Sequence, residues 1–376
     1  MRIAQLANFI GPSSGGMKTA VDALGSGYVA AGAERLLIVP GPRDARTSTD
    51  AGEVVQLRAP RVGGGYRLIL EPWRVIETLE RFAPSSLEVS DKSTLLPVTR
   101  WARRNAVHSL LFSHERLDAM LALRTGWPVG VAAPVSALNR VLVRQFDGIV
   151  VTSSFARQEF SSLAAAAGTP VHQIPLGVDL ETFRPRRSQP PASPVLRLVH
   201  VGRLSREKSP HLAVAVAVAL HERGVPVHLD VYGEGPHRDE LEEMALHAPV
   251  TFHGHVGGRR ALSDLVGGAD VALSVCPGET FGLAVLEALA SGTPVVTADT
   301  GGARELVDES SGAWAEPEAE ALADAVLRVA RLPRGVRRTG ARARAEQFSW
   351  DRTVAAMLDL HVQGPATEAD AAENSA

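Results

Sequence analysis

The sequence predicts an α/β protein of two domains, each built around a parallel sheet. Short apolar runs alternate with helix-length segments along the whole chain, which is typical of repeated strand–helix–strand units. A stretch rich in proline, serine and arginine, "RPRRSQPPASP" at residues 184–194, separates two series of such runs. At 376 residues the chain is also long for one hydrophobic core.

Apolar runs mark the expected strands in order. In the first half they are "RIAQLAN", "RLLIVPG", "VVQLR", "LEVS", "HSLLFSH", "GIVVTSS" and "VHQIPLG". In the second half they are "LRLVHVG", "VHLDVYG", "VTFHGH", "DVALSVC" and "TPVVTAD". The segment "PHLAVAVAVALHERG" at residues 210–224 alternates alanine and valine as a strand would. Its opening proline, its closing glycine and the strands on both sides favour a helix.

These runs place the first domain at residues 1–183, the linker at residues 184–194 and the second domain at residues 195–348. An amphipathic helix is expected at residues 349–362, where the second domain offers no further element to pair with it. Residues 363–376 are small, polar and acidic, which is typical of a disordered tail.

Composition narrows the functional classes. A content of 45% hydrophobic and 22% charged residues is that of a soluble globular protein, and a net charge of −3 argues against a general nucleic-acid binder. The single cysteine, Cys276, excludes an internal disulfide and a cysteine-rich metal site. The N-terminus lacks a signal-peptide pattern, and the longest apolar run, residues 212–220, is too short to span a bilayer. We therefore expect a cytoplasmic protein, peripheral at most to the inner face of the plasma membrane.

Two loops that follow strands suit a phosphorylated ligand, because doubly wound sheets bind ligands beyond the carboxyl ends of their strands. "IGPSSGGMKTA" brings Gly15 and Gly16 to a helix start, where backbone amides can approach an anion. Met17 stands where a P-loop needs lysine, which argues against nucleoside triphosphate hydrolysis. "VGRLSREKSP" offers Arg203 and Lys208 to a diphosphate. The alternative for the first loop is a plain glycine-rich turn, and the alternative for the second is a solvated basic loop that binds no ligand.

The stretch "CPGETFGLAVLEALASGTPVV" contains two glutamates, Glu279 and Glu287. A helix expected from Phe281 to Ala290 puts Glu279 at its N-terminus and Glu287 about two turns inside. Glu279 alone is explained as a partner of the helix dipole, whereas a carboxylate inside an Ala/Leu-rich helix needs a polar partner. The free amides expected beside Glu279 belong to Phe281, Gly282 and Leu283.

Two further features are candidates with structural alternatives. His114 ends the strand "HSLLFSH" and is a candidate catalytic residue, although a histidine at the carboxyl end of a strand is more often structural than catalytic. The segment "TLLPVTRWARRN" predicts a helix whose basic face and aromatic side chain are typical of a membrane surface, with a solvated helix as the alternative; its candidate residues are Arg100, Trp101, Arg103 and Arg104. The chain has no D-x-D pair and no H-E-x-x-H motif, so we expect no metal site.

Together these stretches resemble retaining glycosyltransferases of family 4, whose B-type fold has two Rossmann-like domains facing each other across a cleft. The spacing of Glu279 and Glu287 matches the family's glutamate-seven-glutamate motif, and "ASGTPVV" follows it. "GRLSREK" matches the basic donor loop, "YGEGP" a strand-end turn and "IPLGVDLETFRP" the end of the N-terminal domain. "ANFIGPSSGGMKTAVD", "SHERLD" and "CPGETFGLAVLEALASGTP" are most similar to mannosyltransferases that act on phosphatidylinositol mannosides with GDP-mannose.

The resemblance implies roles for the candidate residues. Glu287 would hold the nucleotide ribose hydroxyls, Glu279 would contact the donor sugar, and His114 would lie near the anomeric carbon. Arg203 and Lys208 would bind the diphosphate without a metal ion, and the departing phosphate would help to deprotonate the acceptor on the same face of the sugar. The last helix would cross back onto the N-terminal domain, and both lobes would close over the donor. Backbone amides would also help to bind the donor; they belong to Gly15, Gly16, Phe281, Gly282 and Leu283.

The expected partners are a nucleotide-sugar donor, a glycolipid acceptor and an anionic membrane, with no nucleic acid and no cofactor. Alternatives are a transferase moving another UDP- or GDP-activated sugar to a soluble acceptor, a nucleotide-sugar 2-epimerase, and a non-catalytic sugar-nucleotide-binding protein. A Rossmann dehydrogenase is disfavoured, because no G-x-G-x-x-G follows any strand.

Overall fold

The computed structural model of the chain describes residues 1–8, 10, 15–63, 65–90, 92, 95–186, 193–245 and 247–363. The chain folds into two compact units. The first contains Met1–Glu115, Ala132–Pro175 and the chain from Trp350 onward, and the second contains Arg116–Val131 and Leu176–Ser349.

The first unit is built on a doubly wound sheet. Its described strands are β1 (Arg2–Leu6), β2 (Glu34–Gly41), β3 (Ala45–Thr49), β4 (Gly52–Arg58), β5 (Arg61–Gly63), β6 (Tyr66–Arg67), β7 (Ser86–Val89), β8 (His108–Ser113), β9 (Gly148–Val151) and β10 (Val171–Gln173). Eight of these form one sheet in the order β10-β9-β8-β7-β1-β2-β4-β3. Strand β1 pairs in parallel with both β2 and β7, so the strand order reverses between β1 and β7.

Helices connect these strands. They are α1 (Gly16–Ala30), α2 (Pro72–Phe82), α3 (Leu96–Arg104), α5 (Pro128–Gln145), α6 (Ser154–Arg157), α7 (Ser161–Ala167) and the final α14 (Trp350–Gln363), while α4 (Leu117–Thr125) belongs to the second unit. All four residues of β7 and all four of β9 are buried. Burial on both faces explains why β9, with the sequence "GIVV", is apolar throughout, whereas β7 buries the polar side chains of Ser86 and Glu88 among its apolar ones.

The sequence predicted parallel sheets, but the first sheet is not wholly parallel. Strand β3 pairs antiparallel with β4 at the sheet edge, and β5 and β6 form a separate antiparallel hairpin. The prediction missed β3 because its sequence, "ARTST", is polar and mostly exposed, so it has no apolar run to reveal it.

The second unit repeats the same plan. Its strands are β11 (Leu196–Val201), β12 (Val227–Tyr232), β13 (Val250–Gly254), β14 (Val271–Ser274), β15 (Val295–Ala298) and β16 (Gly312–Ala315), in the parallel order β13-β12-β11-β14-β15-β16. Strand order reverses between β11 and β14. The helices are α8 (Pro210–Glu222), α9 (Arg238–Met244), α10 (Arg259–Val266), α11 (Leu283–Ala290), α12 (Ala319–Arg331) and α13 (Arg334–Ala345), with 3-10 turns at Arg206–Lys208 and Gly302–Leu306.

The alternating Ala/Val segment is a helix, as predicted. Helix α8 begins at Pro210 and is buried around much of its circumference. Val214 and Ala217 lie in the same core cluster as Leu229 of β12 and Val326 of α12. Because the helix contacts the sheet on one side and α12 on another, an amphipathic pattern is not required.

The predicted domain boundary at residue 183 differs from the structure, in which the chain passes to the second unit at Leu176. The reason is a set of contacts made by Arg342 of α13. Its guanidinium donates hydrogen bonds to the carbonyl oxygens of Leu180, Phe183 and Ala290, which ties residues 180–183 to the second unit. Within the predicted linker, residues 187–192 lie outside the described residues, as do residues 364–376 of the predicted tail.

Helix α14 packs in the first unit, where Val354 contacts Gly27 of α1. A buried polar network also holds this helix. Nδ1 of His361 lies 2.7 Å from Oγ of Ser86, and Nε2 lies 3.3 Å from Oε2 of Glu88. Burial alone would raise the pKa of Glu88, but hydrogen bonds from His361 and Tyr28 hold that pKa below its usual value. The carboxylate is therefore a charged anchor for the last helix.

Candidate active site

The candidate donor site lies in the second unit, in the loops that follow β11 and β14. These strands are adjacent and parallel where the strand order reverses, and such a point leaves a crevice beyond their carboxyl ends. The loop after β11 ends in the 3-10 turn Arg206–Lys208, and the loop after β14 leads into α11.

Lys208 and Glu279 join the two loops. Nζ of Lys208 donates hydrogen bonds to both carboxylate oxygens of Glu279, at 3.1 Å to Oε1 and 2.8 Å to Oε2. The lysine side chain is 42% exposed, so a ligand can reach its ammonium from solvent. Arg203, on the same loop, is also partly exposed, with Nη1 3.9 Å from Oε1 of Glu207. Two cations thus stand on one loop, and one of them already holds a carboxylate.

Helix α11 begins at Leu283, two residues later than the sequence predicted. Gly282 precedes it with a φ of 102°, a left-handed value that residues with side chains rarely adopt. Phe281 is buried just before the helix rather than in its first turn. The first-turn amides of a helix have no intrahelical acceptor, which suits this helix start to an anionic ligand.

The loop after β15 fixes the backbone beside Glu279. The amide of Gly302 donates to the carbonyl oxygen of Glu279 at 2.6 Å, and Gly301 has a φ of 88°. A Cβ on Gly301 would lie 2.9 Å from the carbonyl oxygen of Pro277, so the loops approach too closely for a side chain. The sequence analysis missed this contact, although the dipeptide Gly301-Gly302 directly after a strand is a signal for it.

Glu287 has the polar partner that its position requires. Its side chain is 16% exposed, and Oε1 lies 3.5 Å from Nη2 of Arg259, the first residue of α10. Burial raises the pKa of Glu287 to about 7; Arg259 lowers it in part, and Asp179 raises it further. The carboxyl group therefore changes charge near neutral pH, where a ligand hydroxyl can favour the ionised form.

Cys276 stays a protonated thiol. Its Sγ donates to the carbonyl oxygen of Glu207 at 3.1 Å, and burial together with nearby Glu279 raises its pKa to about 11. A thiol with so high a pKa is a poor nucleophile, so Cys276 is a structural link between the two donor loops.

His114 lies in the first unit, directly after β8. Nε2 lies 3.1 Å from Oγ of Ser90, and the ring stacks on Phe112 with centroids 4.3 Å apart. The pKa of His114 is lowered to about 4, chiefly by burial; the charge of Glu88 raises it in part, and that of Lys92 lowers it. The imidazole is thus neutral at physiological pH and has one nitrogen engaged by a hydroxyl group.

Lys92 supports the loop that carries His114. Its ammonium donates to the carbonyl oxygen of Glu115 and lies 2.9 Å from Oε2 of Glu159 in an ion pair that is almost wholly buried. Asn139 donates to the other oxygen of that carboxylate at 3.3 Å. The sequence analysis missed this group of residues; the one signal was that Lys92 is among only three lysines in the chain.

Comparison with known proteins identifies the family. The model of Glycosyl transferases group 1 matches residues 184–346, and that of the Glycosyl transferase 4-like domain matches residues 15–177. Over 371 residues the chain is 43% identical to a GDP-mannose-dependent α-(1-6)-phosphatidylinositol dimannoside mannosyltransferase of Mycobacterium tuberculosis, with 95% of each protein covered. This chain is a family 4 glycosyltransferase.

Solved structures show the fold of this glycosyltransferase. Sucrose-phosphate synthase from Thermosynechococcus elongatus matches with a TM-score of 0.79 at 21% identity, covering 96% of this chain and 98% of that one. HepE of Anabaena in complex with UDP and glucose matches with a TM-score of 0.72 at 16% identity, covering 95% and 99%. The predicted B-type glycosyltransferase fold, with two Rossmann-like domains, is thereby confirmed.

The glycine-rich loop of the glycosyltransferase is described only in part. Gly15 caps α1, Gly16 is its first residue, and both are exposed. Among the described residues, no atom lies within 4 Å of a Cβ placed on Gly15. Residues 11–14 of the same loop lie outside the described residues.

The candidate membrane helix of the glycosyltransferase, α3, has its aromatic residue partly buried. Trp101 packs against the hydrophobic core of the first unit. Nη2 of Arg103 donates to the carbonyl oxygen of Arg144 at 2.7 Å. Arg100 and Arg104 are exposed, as is most of the Arg103 residue.

No helix within the described part of the glycosyltransferase is long and apolar enough to cross a bilayer. Across those same residues, no cluster of three or more His, Cys, Asp or Glu side chains is arranged to hold a metal ion.

Proposed function

We propose that this glycosyltransferase transfers an α-mannosyl group from GDP-mannose to a glycolipid of the phosphatidylinositol mannoside type. The observation that carries the proposal is the 43% identity to the mycobacterial phosphatidylinositol dimannoside mannosyltransferase, which extends over 95% of both proteins. A match of that extent includes both the 4-like domain and the group 1 domain, so it bears on acceptor and donor alike.

The donor would be held by the loops of the second unit. Lys208 and Arg203 supply two positive charges to the diphosphate, and the amides at the start of α11 supply further donors. Negative charge on the departing nucleotide grows as the glycosidic bond breaks, so these groups stabilise the transition state more than the ground state. This arrangement supports transfer without a metal ion.

The sugar and the ribose would be recognised by the two glutamates. Glu279, held by Lys208 and by the amide of Gly302, is the proposed acceptor for hydroxyls of the donor sugar. Glu287 is the proposed acceptor for the ribose hydroxyls, and its partly buried position makes each hydrogen bond to the ionised carboxylate strong.

We further propose that transfer retains the anomeric configuration. His114 would contact the sugar as a neutral imidazole, a form that its low pKa guarantees. A neutral ring can donate to or accept from a hydroxyl group without placing positive charge beside a carbon that becomes cationic. The departing phosphate would accept the proton of the acceptor hydroxyl on the same face.

A lipid acceptor implies contact with a membrane surface. We propose that the enzyme is cytoplasmic and binds peripherally at the inner face of the plasma membrane. The exposed cations of α3 support this role, since they can lie against anionic headgroups; they are Arg100, Arg103 and Arg104.

A panel of sugar nucleotides tests the proposal directly. Release of nucleotide from the purified protein is measured with GDP-mannose, GDP-glucose, UDP-glucose and UDP-galactose, with and without phosphatidylinositol mannosides, and again in excess EDTA. We expect GDP release from GDP-mannose that requires the lipid and is unaffected by EDTA. Turnover of a UDP-sugar, or indifference to lipid, would overturn the assigned donor or acceptor. Loss of turnover in EDTA would overturn metal independence.

A further inference from the structure

His114 is held on two sides within the first unit. Its ring stacks on Phe112 with centroids 4.3 Å apart, and its Nε2 lies 3.1 Å from Oγ of Ser90. Ser90 directly follows β7 and His114 directly follows β8, the parallel strand beside it. The amide of Ser90 also donates to the carbonyl oxygen of Leu6 at 2.9 Å, which fixes the serine backbone. Phe112 thus sets the plane of the imidazole, and Ser90 sets which edge of the ring is bonded to the protein.

The bond between Ser90 and His114 has two possible directions. Chiefly because of burial, the pKa of His114 is about 4, so the ring is neutral at pH 7. A neutral imidazole carries hydrogen on only one of its two nitrogens, and the hydrogen bond at one nitrogen decides the state of the other. If Nε2 accepts from the Ser90 hydroxyl group, the ring hydrogen lies on Nδ1. If Nε2 donates to the hydroxyl oxygen, the ring hydrogen lies on Nε2.

The stronger of these two hydrogen bonds is the one in which the serine donates. The unprotonated nitrogen of an imidazole is a much stronger base than a hydroxyl oxygen, so it is the better acceptor. Among the described residues, Nε2 of His114 is the only hydrogen-bond partner of the Ser90 side chain, so no carboxylate or carbonyl oxygen competes for the hydroxyl hydrogen. The hydroxyl hydrogen therefore bonds to Nε2, and the ring hydrogen lies on Nδ1.

We propose that Ser90 is a positioning residue that holds His114 in the tautomer protonated on Nδ1, so that this nitrogen donates to a hydroxyl group of the donor sugar. The inference rests on the proposed contact between His114 and the sugar. A sugar hydroxyl that accepts from Nδ1 keeps its own hydrogen for a second partner, such as a phosphate oxygen. Because the tautomer is set before the sugar binds, no free energy is lost in selecting it on binding.

The first measurement determines the tautomer and needs neither donor nor acceptor. The chain has 12 histidines, so the full-length protein is labelled with nitrogen-15 in its histidine rings, and the His114 signals are assigned by their loss in His114→Gln. At pH 7 the chemical shifts and proton couplings of the two ring nitrogens show which one carries the hydrogen. The variants are Ser90→Ala and Ser90→Thr, which keeps the hydroxyl group. Ser161→Ala, at the exposed first residue of α7, is the control.

We expect hydrogen on Nδ1 in the wild type, in Ser90→Thr and in the control, and a mixture of both tautomers in Ser90→Ala. If Ser90→Ala does not unfold cooperatively, Ser90→Cys takes its place, because a thiol of similar size is only a weak donor. Hydrogen on Nε2 in the wild type, or an unchanged spectrum in the variant that lacks the hydroxyl group, would overturn the proposal.

The second measurement shows whether the tautomer affects transfer from GDP-mannose to phosphatidylinositol mannosides. Ser90→Ala should lower kcat/KM for the donor about tenfold, the scale for one misdirected hydrogen bond, while Ser90→Thr and Ser161→Ala stay within about twofold of the wild type. A variant with mixed tautomers and wild-type kcat/KM would overturn the positioning role. If the wild type turns over no sugar nucleotide, the proposed function fails and the sugar contact fails with it, whereas the wild-type spectrum still decides whether Ser90 sets the tautomer.

Discussion

The charge state of Glu287 makes the stability of this enzyme depend on pH in a calculable way. The carboxyl group is buried beside Arg259 and has a pKa of about 7, against 4.5 for an unperturbed glutamate. Below pH 4.5 the group is protonated in both the folded and the unfolded chain and contributes no difference. Between pH 4.5 and 7 the unfolded chain loses the proton while the folded chain keeps it, so stability falls as pH rises.

The size of this loss of stability follows from the shift in the pKa of Glu287. A shift of about 2.5 units at 1.36 kcal/mol per unit gives a loss of about 3 kcal/mol that is complete above pH 7. Because the partner, Arg259, is 41% exposed and can move, we take this figure as an upper bound. Glu287→Gln keeps the shape of the side chain and removes the titration.

The assay is urea unfolding of the wild type and of Glu287→Gln at several pH values from 4.5 to 8.5. As pH rises to 7, we expect the wild type to lose about 2–3 kcal/mol of unfolding free energy relative to Glu287→Gln. Above pH 7 the difference between the two proteins should stay constant. If the two stability curves run parallel across this range, the carboxyl group is not held in its neutral form and the reasoning fails.

Three further predictions concern the other residues of the site. Glu279→Ala should lower the transfer rate at least about a hundredfold while leaving the unfolding curve unchanged. The control Glu309→Ala, at an exposed glutamate of the same unit, should keep the wild-type transfer rate. Near-normal turnover by Glu279→Ala would show that Glu279 is not part of the site. Lys92→Met leaves the carboxylate of Glu159 buried without its cation, so the free energy of unfolding in urea should fall by about 3–5 kcal/mol. Most of that loss should be recovered in Lys92→Met/Glu159→Gln, and a single variant as stable as the wild type would contradict this prediction. Co-sedimentation with anionic vesicles should weaken when charge is reversed on α3, and unchanged binding would leave α3 an ordinary surface helix; the substitutions are Arg100→Glu, Arg103→Glu and Arg104→Glu.

The sequence predicted those elements whose apolar pattern is local. The buried parallel strand β9 appears as an unbroken apolar run because both of its faces are covered, and β8 shows an apolar centre between polar ends. The helix at Pro210–Glu222 was predicted correctly from its opening proline and the glycine that follows it, although its alternating alanines and valines have the period of a strand. The edge strand β16, with the sequence "GAWA", was missed because one glycine and two alanines give no run of large apolar side chains.

The candidate site was partly predictable because some of its residues lie in locally recognisable stretches of sequence. The site residues stand in the loops after β11 and β14 and inside α11, and the sequences around them are themselves informative; they are Arg203, Lys208, Glu279 and Glu287. Their neighbours were not predictable. Gly301 and Gly302 become relevant only because the loop after β15 closes onto the loop after β14, a contact that spacing along the chain does not encode.

The sequence by itself therefore determined the α/β class, most of the strands and helices, and the residue types available to a phosphorylated ligand, since each depends on a few neighbouring residues. Tertiary structure decided which charges meet. Lys208 reaches Glu279 across 71 residues of chain, Lys92 reaches Glu159 across 67, and Arg337 reaches Asp270 across 67. Strand order in the sheets sets these pairs, and burial then shifts the pKa of groups such as Glu287. Both effects arise only when distant segments exclude water from one place.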